Sequence, residues 1–244
     1  MLTPYLARLS DGESLSEDDA AQAMRFIVTG SASPAQVGAY LALLRSKGET
    51  VPEILGSARV VRERTTRVLP SRSDLIDTCG TGGDGSFSFN ISTAAALVAA
   101  GAGRGVAKHG NRSISSRCGS ADLLEACGVP LDLEPGEAAA TIDVAGIGFL
   151  FAPALNGAMA SVASVRREIR IRTVFNLLGP LANPARARRQ LLGVYAERWV
   201  EPLARVLQGL GSERALVVHG SDGLDEVSIS GATEAALLDD GTVR

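Results

Sequence analysis

The chain has 244 residues, a net charge of −3, 45% hydrophobic residues and only 4% aromatic residues. That length supports one large domain or two modest ones around a substantial core. The mild negative charge and scarce aromatics exclude a general nucleic-acid or membrane-attracting surface, so any basic site must be local. Three cysteines, Cys79, Cys118 and Cys127, lack metal-type spacing and leave one over in any pairing, which reads as reduced thiols. No apolar run approaches the ~20 residues of a membrane span. The start "MLTPYLARLSDGESLS" has no basic segment leading into an apolar core, so no signal peptide is expected, and the cytoplasm is the expected compartment.

Residues 1–70 read as a small helical domain. "SLSEDDAAQAMRFIVTG" offers Ser16 as a cap, acids in the first turn and Gly30 as a stop. "SPAQVGAYLALLRSKGET" repeats the pattern with Ser33 and Pro34, and "TVPEILGSARVVRERTTRV" does so again. Met24, Ile27 and Val28, then Val37, Leu41 and Leu44, fall at helical spacing. These apolar faces exceed what three short helices hide among themselves, which suits a subunit contact or packing within the chain. From residue 73 the character changes. "DLIDTCGTGGD" predicts a strand running into a glycine loop, "STAAALVAAGAG" a helix, "RGVAKHGNR" a strand, "SADLLEACGV" a helix and "IGFLFAP" a strand. Such alternation predicts an α/β domain with a mostly parallel sheet, over 73–156 and 186–244. Residues 157–185 are helical again and are expected to return to the helical domain. "RQLLGVY", a helix near 198–210, and the strands "RALVVHG" and "EVSIS" then resume the pattern.

The polar loops all follow strands, which places them at one crevice beyond the strands' carboxyl ends. "GTGGD", Gly80 to Asp84, lets backbone amides approach a phosphate, although a plain tight turn reads the same way. "SFSFNIST" puts Ser88, Asn90, Ser92 and Thr93 at the start of a helix, where free amides and the dipole receive an anion. Simple capping needs only one of them. "KHGNRSISSRCGSAD" adds Lys108, His109, Asn111 and Arg112 and a run of serines, which suit a polyphosphate. His109 reads equally well as a packing residue. Asp225 and Glu226 in "SDGLDEVS" form a plain surface pair when alone, and a magnesium site beside phosphates. "VRREIRIR" is mostly a solvated basic stretch, with one arginine free to fork a substrate carboxylate.

"GTGGD", "NIST", "KHGNR", "GSAD", "RTVFNLLGPLANP" and "DGLDE", in this order, resemble the anthranilate phosphoribosyltransferases, members of the nucleoside-phosphorylase-like phosphoribosyltransferases. The resemblance covers nearly the whole chain. It implies an α/β fold with a small helical domain plus a larger α/β domain around a mostly parallel sheet, in a homodimer formed through the helical domain. It implies magnesium-dependent transfer of phosphoribose from phosphoribosyl pyrophosphate to the amine of anthranilate, in tryptophan biosynthesis. Carried over by position, Gly80, Gly83, Asp84, Ser88, Asn90, Ile91, Ser92 and Thr93 would line the phosphoribosyl pyrophosphate site. So would Lys108, His109, Gly110, Asn111, Arg112, Ser113, Ile114, Ser115, Ser116 and Ser120. Ser92, Asp225 and Glu226 would hold two magnesium ions. Gly80, Asn111 and Arg166 would contact anthranilate, and Lys108, Asn111 and Arg166 would be the catalytic residues. Asn156 and Gly157 stand where the family usually carries His-Pro, and Ala160 where a lysine is common. Asn156 can hydrogen-bond but carries no charge. This opens the alternative of a different aromatic or amine acceptor, or of a non-catalytic binding relative. The family's chains also run on past the match to Arg244, and a chain cut there would leave sheet edges and apolar faces uncovered.

Overall fold

The computed structural model describes residues 1–86, 88–113 and 118–244. The chain opens with helices α1 (Thr3–Ser10), α2 (Glu17–Val28), α3 (Pro34–Lys47) and α4 (Val51–Arg64). Strand β1 (Leu75–Gly80), α5 (Ile91–Gly101), β2 (Gly105–Gly110), α6 (Ser120–Ala126), α7 (Pro135–Ala145) and β3 (Ile147–Phe151) follow. Four short helices come next: α8 (Ala152–Leu155), α9 (Gly157–Ala160), α10 (Ala163–Ile169) and α11 (Val174–Leu181). The chain continues through β4 (Arg189–Gly193), α12 (Val200–Gly209), β5 (Arg214–Gly220), β6 (Thr233–Asp239) and β7 (Thr242–Val243). These elements form two units, Met1–Thr65 with Asn156–Ala182, and Thr66–Leu155 with Asn183–Arg244. Among the described residues, no helix is long and apolar enough to cross a membrane.

In the first unit the helices begin where the sequence offers caps. The Ser16 hydroxyl accepts the Asp19 amide at 3.2 Å, and Glu17, Asp18 and Asp19 complement the dipole of α2. Ser33 and Gln36 exchange bonds in a capping box at the start of α3. Helices α2 and α4 pack closely at Gly56, where a Cβ would run into the Glu17 carbonyl. Glu53 of α4 is fully buried. Its carboxylate accepts the Leu15 amide at 2.8 Å, the Thr50 amide and hydroxyl at 2.8 Å each, and the Lys47 ammonium at 3.0 Å. One acid thereby ties the loop before α2 to the junction of α3 and α4. The Arg62 guanidinium donates to the Leu181 carbonyl at 2.6 Å and ties α4 to α11.

The second unit is one seven-stranded sheet of order β3-β2-β1-β4-β5-β6-β7. Its first five strands run parallel, and β6 and β7 run antiparallel. The chain moves outward from β1 through β2 to β3, then returns to lay β4 on the other side of β1. The carboxyl ends of β1 and β4 therefore flank a topological switch point, the place where such sheets bind ligands. Leu75, Ala107, Ile142 and Leu150 form a core cluster in this unit, and Ala121, Leu131, Phe149 and Phe151 form a second.

"EVSIS" is not a strand, contrary to expectation: residues 226–230 are loop, and β6 begins at Thr233. Ser228 is the physical reason. Its hydroxyl accepts the Ser230 and Gly231 amides at 3.0 Å each, which takes those donors away from any strand ladder. The helical stretch after 157 is broken into α9, α10 and α11, with Arg170 in the left-handed region at φ 50°.

Candidate functional site

The glycine loop leaves the carboxyl end of β1 at the switch point. The Thr81 amide donates to the Gly193 carbonyl at 2.9 Å, and the Tyr195 amide to the Thr81 hydroxyl at 3.0 Å, so the ends of β1 and β4 are laced together. Asp225 packs onto both strand ends. A Cβ on Gly80 would lie 2.7 Å from an Asp225 carboxylate oxygen, and one on Gly193 would overlap its carbonyl. Glycine at both places is thus a condition for bringing Asp225 in. Gly82, at φ 65°, turns its amide to donate to the Asp225 carboxylate at 2.8 Å. Gly83 follows in the same turn, and Asp84 accepts the Ser86 amide at 3.2 Å.

Helix α5 starts at Ile91 with Asn90 as its cap residue, and the Asn90 side chain makes no capping bond. Instead it donates to the Cys118 carbonyl at 3.1 Å. Ser88 is exposed just ahead of it. Ser92 is a junction: its carbonyl accepts the Thr78 hydroxyl at 2.8 Å and its own hydroxyl accepts the Lys108 ammonium at 3.2 Å. The Thr93 hydroxyl is buried and has no hydrogen-bond partner among the described residues.

Strand β2 delivers Lys108 and His109. Lys108 is only 2% exposed, and its ammonium also donates to the Thr78 carbonyl at 2.7 Å. Burial lowers its pKa, and the charge of Asp77 opposes this. Asp77 is fully buried. It accepts the His109 amide at 3.2 Å and the Asn183 side chain at 2.8 Å, and Asn183 also donates to the Ala107 carbonyl at 2.8 Å. Burial raises the Asp77 pKa to about 6 despite the Asn183 bond and the Lys108 charge. Beyond Gly110, the Asn111 side chain accepts the Arg112 amide at 2.7 Å. The Arg112 guanidinium pairs with Glu125 at 2.7 Å and Asp122 at 3.1 Å and lies over the Phe151 ring. Asp122 also accepts the Ser113 and Gly119 amides at 3.0 and 2.8 Å, which holds the two ends of the serine loop, and Ser120 opens α6. Ile114, Ser115 and Ser116 lie outside the described residues.

Asp225 and Glu226 come from the loop after β5. Burial, then the nearby Asp84 charge, raises the Asp225 pKa to about 6. Burial, then Asp225, raises Glu226 to about 7, with Lys108 and the Ser92 amide opposing. Asp84, Asp225 and Glu226 are thus close enough for their charges to repel one another. Among the described residues, no group of three histidine, cysteine or acidic side chains closes on a single ion. Magnesium usually takes only one or two protein carboxylates and completes its shell with water and phosphate oxygens.

The sequence reading named neither Asp77 nor Asn183. Both were visible in principle, Asp77 as an acid inside an apolar strand and Asn183 inside "GPLANP". In the first unit, Arg166 of α10 is half-buried over the Phe175 ring at 5.6 Å, and burial lowers its pKa. It has no carboxylate partner among the described residues.

The model of the glycosyl transferase family helical bundle domain matches residues 3–65, and that of the family's a/b domain matches residues 72–244. The chain is 59% identical over 239 residues to the anthranilate phosphoribosyltransferase of Symbiobacterium thermophilum, covering 98% of this chain and 70% of that one. The crystal structure of anthranilate phosphoribosyltransferase from Thermus thermophilus is 46% identical, with a TM-score of 0.89, over 96% of this chain and 72% of that one. The Saccharomyces cerevisiae anthranilate phosphoribosyltransferase in complex with PRPP and Mg is 28% identical, also at a TM-score of 0.89, over 100% of this chain and 71% of that one.

Proposed function

This chain belongs to the anthranilate phosphoribosyltransferase family, and we propose that its second unit carries the donor site for that reaction. The reaction transfers the 5-phosphoribosyl group from phosphoribosyl pyrophosphate to the amine of anthranilate, a step of tryptophan biosynthesis. The bond from the anomeric carbon to pyrophosphate breaks, the bond to nitrogen forms, and the amine's surplus proton goes to water. The supporting observation is the convergence of the glycine loop, Ser92, Lys108 and the Asp225–Glu226 pair at the switch point of one sheet.

The ring gains positive charge as pyrophosphate leaves with negative charge, so stabilising the leaving group matters more than a strong base. The glycine loop after β1, together with Ser88, Asn90, Thr93 and the start of α5, receives the phosphates. Lys108 adds a cation that the Thr78 carbonyl and the Ser92 hydroxyl hold in place. Ser92, Asp225 and Glu226 would hold two magnesium ions, which supply charge neutralisation on the pyrophosphate when bound. The acceptor nitrogen is neutral and already nucleophilic, so placing the ring matters most, and Arg166 takes its carboxylate. No general base is required. The enzyme works as a homodimer through the first unit. The proposed compartment is the cytoplasm.

The test follows anthranilate fluorescence in the presence of phosphoribosyl pyrophosphate. Consumption with magnesium, its arrest by EDTA and its recovery on adding magnesium back are expected. Absence of turnover together with absence of magnesium-dependent donor binding by titration calorimetry would refute this reading.

A further inference from the structure

Asn156 is only 2% exposed, yet neither its side-chain oxygen nor its nitrogen has a hydrogen-bond partner among the described residues. Both ends of a carboxamide left bare inside a protein is uncommon, and such an amide is completed by water or by a ligand. The side chain does not set its own position. The backbone does, through a bridge to Thr65, whose hydroxyl donates to the Val61 carbonyl at 2.9 Å. The next residue opens onto space, since a Cβ on Gly157 would meet nothing within 4 Å. Ten residues further, on the same stretch of the first unit, Arg166 is half-buried with a ring on one face and no carboxylate partner among the described residues. The stretch from Asn156 to Arg166 thus presents one unmet cation and one unmet group that both donates and accepts. Anthranilate's carboxylate answers the first only.

We infer that Asn156 is a specificity-determining residue that selects 2-aminobenzoates bearing a ring hydroxyl or amino group. The inference rests on the acceptor role given above to Arg166. In this inference one ligand meets both groups, its carboxylate on Arg166 and a hydrogen-bonding substituent on Asn156. A buried amide built to receive such a substituent discriminates against the apolar analogue, which would leave it unpaired.

The experiment measures kcat/KM for anthranilate, for its hydroxy derivatives at each open ring position, and for the methyl derivatives of matching shape. Phosphoribosyl pyrophosphate and magnesium are held at saturation. The native enzyme is expected to prefer hydroxyl over methyl by at least about tenfold at one ring position. In N156L that ratio is expected to fall to near one. If N156L fails to fold, N156A is read in the same way. A native ratio near one at every position, or an unchanged ratio in the variant, would overturn the inference. The latter with a raised Tm would identify the amide as a hydrated structural group. No turnover of any 2-aminobenzoate by the native enzyme would refute the parent reading as well, and is thereby distinguished from failure of the Asn156 assignment alone.

Discussion

Glu53 in the first unit and Asp225 in the second are both carboxylates taken out of water, at 0% and 9% exposure. Their surroundings differ. Glu53 meets amides, a hydroxyl and an ammonium, all at 3.0 Å or less. Asp225 meets the Gly82 amide at 2.8 Å and then the like charges of Asp84 and Glu226. The first acid is completed by its own chain, and folding benefits. The second is held against its neighbours by the fold, at a cost that a bound cation would relieve. A buried acid completed internally belongs to architecture; one left in repulsion marks the place for a ligand.

Exchanging the acids for amides breaks this comparison most directly. D225N with E226Q is expected to lower kcat/KM by roughly a hundred- to a thousandfold. The same variant should gain Tm in EDTA, because the repulsion is gone. E53Q should do the reverse, losing about 3 kcal/mol of stability by leaving Lys47 and two amides poorly paired. Kinetics and denaturant melts on the two variants decide the matter. If D225N with E226Q loses Tm as E53Q does, the two acid sites are alike and the contrast fails.

A smaller effect is expected from pH. Asp77, Asp225 and Glu226 have folded pKa values raised to about 6, 6 and 7. Raised carboxyl pKa values mean that the folded state binds more protons than the unfolded state between about pH 4 and 7. Stability therefore falls as pH rises through that window and levels off above it. The magnesium-free protein should melt roughly 4–8 °C higher at pH 5 than at pH 8, about 2 kcal/mol for a chain of this size. On the proposed reading the deprotonated acids hold magnesium, so its stabilising effect should be larger at pH 8 than at pH 5. Equal magnesium shifts at both values would mean that the acids do not hold the ion.

What was legible in the sequence was mostly local. Ser16 and Ser33 act on amides within three residues, so their caps could be read directly. The glycine loop and the acid pair could be read because each is contiguous. Asp77 could not, since its partner Asn183 is 106 residues away, and only the switch in strand order brings β1 beside the segment that carries it. Helix α7 had a proline in its first turn and Gly146 at its end, yet its alanine-rich body lacks a strong apolar stripe. The β6–β7 hairpin had its own signal in Asp240–Gly241, both at positive φ, which the reading of "EVSIS" as the last strand obscured.

That misread loop yields the smallest and most specific prediction. Ser228 donates to the Asp222 carboxylate at 2.5 Å while accepting the Ser230 and Gly231 amides. It thus closes the loop that carries Asp225 and Glu226. S228A should cost about 1 kcal/mol of stability. It should also raise the calorimetric Kd for phosphoribosyl pyrophosphate with magnesium severalfold, by letting the acids relax apart, and S228T should restore both. A stability loss with unchanged donor affinity would show that the Gly82 bond and the bare face of Gly193 hold Asp225 without help. The acids would then be positioned entirely from the β1 and β4 side, and the serine-rich turn would serve only to join β5 to β6.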